Sequence, residues 1–263
     1  MLSATSSIMI AAHKPYEFPV DDGYMPVHVG KQLSTVDLGI LTDDVGENIS
    51  VLNPYFCELT GLYWIWKNVK TDYYGLVHYR RYFRPIRGAA SVFVGGQEVA
   101  ASSALVEMLK NADIVLSKKR NYWIESIEQH YAHAHHLDDL GALRSVMGRL
   151  CPDYLSALDE VLKGRSVSLY NMFCMPAEHF NRYCSWLFSI LLPLREEIRY
   201  QEYGPYQRRV FGFLAERLLN VWVLHNIQKS RVCYVPVINL EGESMLSKAK
   251  GLLTRKFTGK KLA

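Results

Sequence analysis

Tyr73-Tyr74-Gly75-Leu76-Val77-His78-Tyr79-Arg80-Arg81-Tyr82-Phe83 is the stretch on which the fold turns. Its apolar first half breaks into His-Tyr-Arg-Arg-Tyr, which predicts a buried strand whose carboxyl end delivers a basic, aromatic cluster to the edge of a sheet. α/β proteins bind ligands at that end of their strands. A guanidinium donates two parallel hydrogen bonds to a phosphate or carboxylate, and neighbouring tyrosines add hydroxyl donors or a flat face for a sugar or base. The expected ligand is an anion. The competing reading, a solvated turn in which Arg80 and Arg81 pair with acidic neighbours, stays open at this point.

Working outward, residues 8–12 are a short apolar run closed by His13-Lys14-Pro15, and Pro15 disfavours helical continuation. They read as a first strand with a polar tip. Residues 24–30 give a second short strand ending on Gly30. Asn53-Pro54 is a helix start, with asparagine at the cap and proline at the first helical position. Phe56, Leu59, Tyr63 and Trp66 then share one face of a single helix running to Asn68. The stretch from Gly88 to Ser103 is rich in small residues and reads as a loop or lid, followed by a short helix to Asn111. Residues 113–117 are a further strand tipped by Lys118-Lys119-Arg120, which read either as an extension of an anion site or as a solvated turn.

Residues 122–162 read as helical and hold His130, His133, His135 and His136 beside Asp138 and Asp139. The spacing puts His133 and His136 on one face and is not a metalloprotease pattern, so a polar helix lining a cleft or lying in solvent is preferred to a metal site. Ser168 to Met175 reads as another buried strand, and the helix after Pro176 carries Phe180, Tyr183, Cys184, Leu187, Phe188 and Leu191 at core spacing. A last helix over 205–227 buries Phe211, Leu214, Leu218 and Trp222 and sets Glu216 opposite, near Gly212 and Leu219. That carboxylate reads either as a base of raised pKa or as a salt-bridge partner of Arg209 or Arg217.

Composition excludes several classes. A chain of 263 residues that is 49% hydrophobic and 21% charged has room for a substantial core and is not disordered. The net charge of +4 is too small to argue for nucleic acid, and many of the cations lie in the tail. Five cysteines without a close pair of the C-x-x-C kind read as free thiols in a reducing compartment. With neither a signal peptide nor a run of membrane length, the expected location is cytoplasmic. Residues 1–243 are expected to form one domain. Residues 244–263 alternate apolar positions with Lys and Arg, which reads either as a basic amphipathic tail for an anionic membrane surface or as a solubilising extension.

Several stretches together resemble one family: His13-Lys14, Glu47-Asn48-Ile49-Ser50 with Asn53, Cys57-Glu58-Leu59-Thr60-Gly61-Leu62-Tyr63-Trp64-Ile65-Trp66-Lys67-Asn68, the Gly75–Phe83 stretch, Asn171-Met172-Phe173 and Ala215-Glu216-Arg217-Leu218. The resemblance is to bacterial capsule, exopolysaccharide and O-antigen synthesis proteins, long a domain of unknown function, that include galactofuranosyltransferases. It implies a single Rossmann-like α/β domain, a mixed central sheet flanked by helices, that binds a nucleotide sugar. It also implies an inverting glycosyltransferase that moves a sugar, galactofuranose from UDP-galactofuranose, onto a glycan, lipid-linked and built at the inner face of the plasma membrane.

Such cores usually carry an Asp-x-Asp metal motif, but here the end of the central strand reads His78-Tyr79-Arg80. Metal and cofactor are therefore expected to be absent, with Arg80, Arg81 and Lys14 neutralising the departing nucleoside diphosphate. The resemblance further implies donor contacts from His13, Lys14, Gly30, Asn48, Asn53, Tyr79, Arg80 and Arg81. It implies acceptor contacts from Asn171, Met172 and His135, and catalytic roles for Glu216 as base, Asp139 as second choice and His78. The alternative is a non-catalytic module that binds nucleotide sugar or glycan in an assembly complex. An RNA-binding surface is weaker, because the cations are not interleaved with a stripe of aromatics.

Overall fold

A computed structural model describes residues 5–242. The first part of the chain forms β1 (Ser6–Ala12), β2 (Tyr24–His28), β3 (Leu41–Thr42), α1 (Asn53–Phe56), α2 (Leu59–Asn68), β4 (Tyr73–His78) and β5 (Arg81–Phe83). A hairpin, β6 (Ser91–Val94) and β7 (Gln97–Ala100), then leads to α3 (Ser102–Met108), β8 (Ile114–Ser117) and β9 (Arg120–Asn121). Three helices follow, α4 (Ile127–Ala134), α5 (Asp138–Leu150) and α6 (Leu155–Lys163), before β10 (Ser166–Val167) and β11 (Phe173–Pro176). Two long helices, α7 (Ala177–Leu194) and α8 (Val210–Asn226), precede β12 (Val232–Val235) and β13 (Val237–Asn239).

The main sheet has the order β12-β8-β11-β4-β1-β2-β3, with β5 branching from the end of β4 and pairing β13. All its path neighbours are parallel except β11, which runs antiparallel between β4 and β8, so the sheet is mixed as expected. The apolar run of β1 is buried on both faces, as a central parallel strand must be. Its side chains alternate. Met9 and Ala11 enter a core built with α2, α7 and α8, whereas Ile8, Ile10 and Ala12 enter a second core with α3 and the β6–β7 hairpin. Register decides where function can sit: Ala11 pairs His78 and Ala12 pairs His28, so β1, β2 and β4 end together on one edge.

Local readings fare unevenly. The stripe of α7 is buried at Phe180, Tyr183, Cys184, Leu187, Phe188 and Leu191, as its spacing requires. The helix expected from Asn53 to Asn68 is instead broken in two at Cys57, which adopts φ 53° and ψ −129°. Asn53 does not cap it. The residue is already helical, and its side-chain amide donates to the Cys57 carbonyl and Thr60 Oγ1 at 2.8 and 3.1 Å, tying the break together. The expected lid over 88–103 is largely a hairpin, turned by Gly95 and Gly96 at φ 56° and 71°. The continuous helix expected over 122–162 is three helices. The strand expected from Ser168 starts only at Phe173, because Tyr170 and Asn171 take positive φ of 75° and 53°. The tail from 244 lies outside the described residues, within which no helix is long and apolar enough to cross a membrane.

Candidate functional site

Beyond the carboxyl ends of β1 and β4 opens a cavity of about 720 Å³. The sheet edge supplies His13 and His78, and the β4–β5 turn supplies Tyr79, Arg80 and Arg81. The break between α1 and α2 supplies Cys57 and Glu58, while the amino-terminal part of α8 and the turn before it supply Arg208, Arg209, Glu216 and Arg217. Five arginines face two glutamates there, so the lining is strongly positive. The Nε groups of Arg81, Arg208 and Arg217 are buried without a hydrogen-bond partner among the described residues. Buried donors left in this state are costly unless a ligand meets them.

Glu216 is the best-held acid. Its Oε1 accepts the Tyr170 backbone N–H at 2.8 Å and its Oε2 accepts Arg217 Nη1 at 3.0 Å. Burial raises its pKa above the ordinary carboxylate value, against the opposing pull of Arg217 and the Tyr170 N–H. Glu216 is thus ion-paired with Arg217, one of the two arginines expected as its partner, and the pair is largely buried rather than a surface bridge.

The loop carrying Tyr170 and Asn171 is held in its left-handed conformation from three sides. His78 Nε2 donates to the Tyr170 carbonyl at 2.6 Å, which places the ring proton on Nε2, because a carbonyl only accepts. Burial lowers the His78 pKa, keeping the imidazole neutral in that role. Asn171 Nδ2 donates to Glu58 Oε1 at 2.6 Å and to the Gly212 carbonyl at 3.3 Å. Above the loop, the Arg81 guanidinium lies 4.7 Å from the centre of the Tyr170 ring.

At the other end of the cavity, His13 packs edge-on against Tyr79 at 5.2 Å, and burial lowers its pKa. Arg80 Nη1 pairs with Glu241 at 2.6 Å, and Lys14 Nζ reaches the other oxygen of that carboxylate at 3.4 Å. Arg209 Nε donates to Cys57 Sγ at 3.2 Å, while burial pushes the Cys57 thiol up to about 11. His135 lines the wall and bonds Gln207 Oε1 through Nδ1 at 2.9 Å.

The structure thus brings together His13, Asn53, His78, Tyr79, Arg80, Arg81, His135 and Glu216. It does not bring in the others. Lys14 stands outside, 5.2 Å from the Tyr79 ring centre. Gly30 serves the wall indirectly: at φ +73° it leaves to the Asn53 side chain the space a Cβ would take, and its N–H is fixed by Asp43 Oδ2 at 2.8 Å. Asn48 bonds the Asp44 and Gly46 carbonyls of its own turn. Asn171 and Met172 are buried behind the loop. Asp139 accepts the hydroxyls of Tyr131 and Tyr203 at 3.1 and 2.8 Å, and burial raises its pKa in that enclosed setting. Lys118, Lys119 and Arg120 do not extend the cavity.

Sequence reasoning missed Glu58, Arg208, Tyr122, His130 and Tyr206 as lining residues, and weighed Arg209 and Arg217 only as partners of Glu216. One signal was present: Tyr206-Gln207-Arg208-Arg209 repeats the aromatic and double-arginine character of Tyr79-Arg80-Arg81. The histidine segment also arranges itself differently. His130 and His133, not His133 and His136, share a partner, donating from Nδ1 to the two oxygens of buried Glu125 at 2.7 and 2.8 Å. Among the described residues, no three His, Cys, Asp or Glu side chains are grouped so as to hold a metal ion.

Residues 7–227 match the family described as a domain of unknown function, DUF4422. The chain belongs to that family. A solved structure described as the apo form of WbbM, a bifunctional glycosyltransferase, superposes on this DUF4422 chain with a TM-score of 0.81 at 29% sequence identity. The alignment covers 91% of this chain and 46% of the WbbM chain, so this chain spans about half of that protein's length. No curated protein matches the chain. The mixed sheet and flanking helices of the DUF4422 domain are therefore a glycosyltransferase-type fold shared with WbbM.

Proposed function

We propose that this DUF4422 chain is a glycosyltransferase taking a sugar from a nucleotide-sugar donor to a glycan acceptor. The observation that carries the reading is the arginine-rich cavity at the carboxyl edge of the sheet, with half-buried Glu216 in its wall, in a fold shared with WbbM. A nucleoside diphosphate leaving group is already a stable anion, so it needs charge neutralisation more than protonation. Arg80 and Arg81, with Arg208 and Arg209 opposite, supply that charge. His13, Asn53 and Tyr79 contact the nucleoside side, and His135 lies on the acceptor side.

The transfer is inverting. Glu216 takes the proton from the acceptor hydroxyl as its oxygen bonds to the anomeric carbon, and the carbon–oxygen bond to the diphosphate breaks with its electron pair leaving on the diphosphate. The raised pKa of Glu216 suits a base that must hold a proton briefly and release it. His78 positions rather than reacts, because its Nε2 proton is given to the Tyr170 carbonyl. The donor is UDP-galactofuranose and the acceptor a lipid-linked bacterial surface glycan at the inner face of the plasma membrane, in line with the sequence resemblance.

Nucleoside-diphosphate release by the full chain, measured across a panel of sugar nucleotides with and without chelator and with a lipid-linked acceptor mimic, tests this. Release from UDP-galactofuranose, undiminished by chelator, is the expected result. Tight donor binding without release under any acceptor marks a binding module instead, and activity abolished by chelator removes the metal-free mechanism.

A further inference from the structure

The connection from β8 to α4 runs Lys118-Lys119-Arg120-Asn121-Tyr122-Trp123-Ile124, and it divides its residues sharply. Tyr122 turns in and lines the cavity. Trp123 and Ile124 turn out and stay 78% and 47% exposed. Lys118, Lys119 and Arg120 are exposed beside them, and exposed Arg165 donates to the Trp123 carbonyl at 3.3 Å. None of these four cations belongs to an ion pair among the described residues.

The same surface continues onto the edge strand β12. Lys118 N–H bonds the Val235 carbonyl at 2.8 Å, and Lys119 Nζ lies 5.5 Å from the centre of the Tyr234 ring, which is 40% exposed. Here a recess of about 340 Å³ opens, floored by Leu116, Val223, Leu224, Ile227 and Val232 and flanked by Lys119, Lys229 and Tyr234.

Single exposed apolar residues are ordinary on protein surfaces. An exposed Trp-Ile pair inside a ring of uncompensated cations, next to an aliphatic recess with lysines at its flanks, is a different arrangement. Trp and Tyr are favoured at the headgroup level of a bilayer, where cations meet lipid phosphates and aliphatic groups leave water. Nucleic acid would use the cations and the indole but would leave Ile124 and the aliphatic recess unsatisfied.

We propose that this face docks on an anionic phospholipid bilayer. Trp123 and Ile124 enter the interface, Lys118, Lys119, Arg120, Arg165 and Lys229 meet lipid phosphates, and the recess receives an acyl chain. Because Tyr122, the residue before Trp123, lines the cavity, docking holds that wall of the cavity near the membrane. The proposal stands apart from the transfer reaction: vesicle binding can fail while nucleotide release survives, and the reverse.

The test is co-sedimentation of the full chain with phosphatidylcholine vesicles, with and without phosphatidylglycerol, for the wild type, Trp123→Ala/Ile124→Ser and Lys119→Ser/Arg120→Ser. All four substituted side chains are exposed, and unchanged thermal melting confirms folding. Expected is binding that requires phosphatidylglycerol, reduced about fivefold for each basic residue removed, and reduced at least about tenfold in the Trp123→Ala/Ile124→Ser chain, the least that burying one large apolar side chain is worth. Three results overturn the proposal: no wild-type binding to anionic vesicles, wild-type binding in both variants (which would assign it to residues 244–263), or binding to single-stranded RNA with none to vesicles.

Discussion

Replacing Glu216 by glutamine separates the chemistry of the cavity from its architecture. Glu216 accepts from the Tyr170 N–H at 2.8 Å and from Arg217 Nη1 at 3.0 Å. Glutamine keeps one acceptor oxygen and turns an amide donor toward the other site, so one of the two bonds is lost. Arg217, 3% exposed, retains the Phe213 carbonyl at 2.9 Å and the face of Tyr131. The stability cost is therefore that of one unmet buried donor, about 1–3 kcal/mol, which lowers the melting temperature by a few degrees without unfolding the chain. Turnover falls much further, roughly 10²–10⁴-fold, if the lost carboxylate is the base. Donor affinity, measured by calorimetry, stays as it was, because the arginines on the diphosphate are untouched.

The pH dependence adds a second readout of Glu216→Gln. Burial raises the Glu216 pKa above its ordinary 4.5, so the acid limb of the wild-type turnover profile lies above that value and disappears in the variant. Stability follows the same sign: a raised folded pKa favours the fold while the group is protonated, and that contribution is lost as pH climbs from the ordinary value through the folded one. The wild type should lose stability relative to the variant over that rise. A folded Glu216→Gln chain that releases nucleoside diphosphate at nearly the wild-type rate refutes the assignment, and a parallel loss of donor affinity refutes the separation of roles.

Three further substitutions probe what surrounds the base. Gly30→Ala puts a Cβ 2.5 Å from Asn53 Cγ at a φ of +73°; thermal melting should show a loss of about 1–2 kcal/mol from the left-handed backbone alone, with weaker donor binding because Asn53 is displaced. Arg81→Lys removes the planar fork and its stacking on Tyr170, and steady-state kinetics should show the donor KM rising roughly tenfold while folding is unaffected. Glu125→Gln tests the histidine clamp. Burial alone would raise the Glu125 pKa, yet the bonds from His130 and His133 outweigh it and hold the carboxyl below its ordinary 4.5. Its stabilisation, about 1 kcal/mol, is complete above that value and lost as pH falls through the lower folded one, so the melting curves of wild type and variant should converge only on the acid side.

What the sequence makes legible is whatever one element decides by itself. The apolar run ending at His78 is a strand because both faces of the sheet are covered, and the stripe of α7 is buried because its spacing leaves no other choice. The break at Cys57 was hidden, since a non-glycine residue at φ 53° leaves no mark in composition and is stabilised by Asn53 and Thr60 only after folding. The β6–β7 hairpin did carry its signal in Gly95-Gly96, a pair that supplies positive φ at a two-residue turn, but the small residues around it read as a loop. At the site, Arg80 and Arg81 were visible because they sit at the end of a recognisable strand. Arg208, Arg209 and Glu58 reach the same cavity from distant stretches, and only the pairing of β1 with β4 and the packing of α1 on α8 bring them there.

The resident partners of the cavity arginines indicate where an anion binds and how it could speak to the base. Arg80 is held by Glu241, Arg217 by Glu216, and Arg209 by the Cys57 sulfur. Arg81 and Arg208 have no carboxylate partner among the described residues, and the Nε of each is buried without a hydrogen bond. On the proposed function, a diphosphate would meet these two first and compete with Glu241 for Arg80. Arg81 rests on the ring of Tyr170, and the N–H of Tyr170 is what Glu216 accepts. Anion binding and base placement therefore converge on one residue, held at φ 75° by His78 and Glu216 together. Tyr170 thus stands between the guanidinium that faces the cavity and the carboxylate proposed as base, in a left-handed conformation that clusters at functional sites.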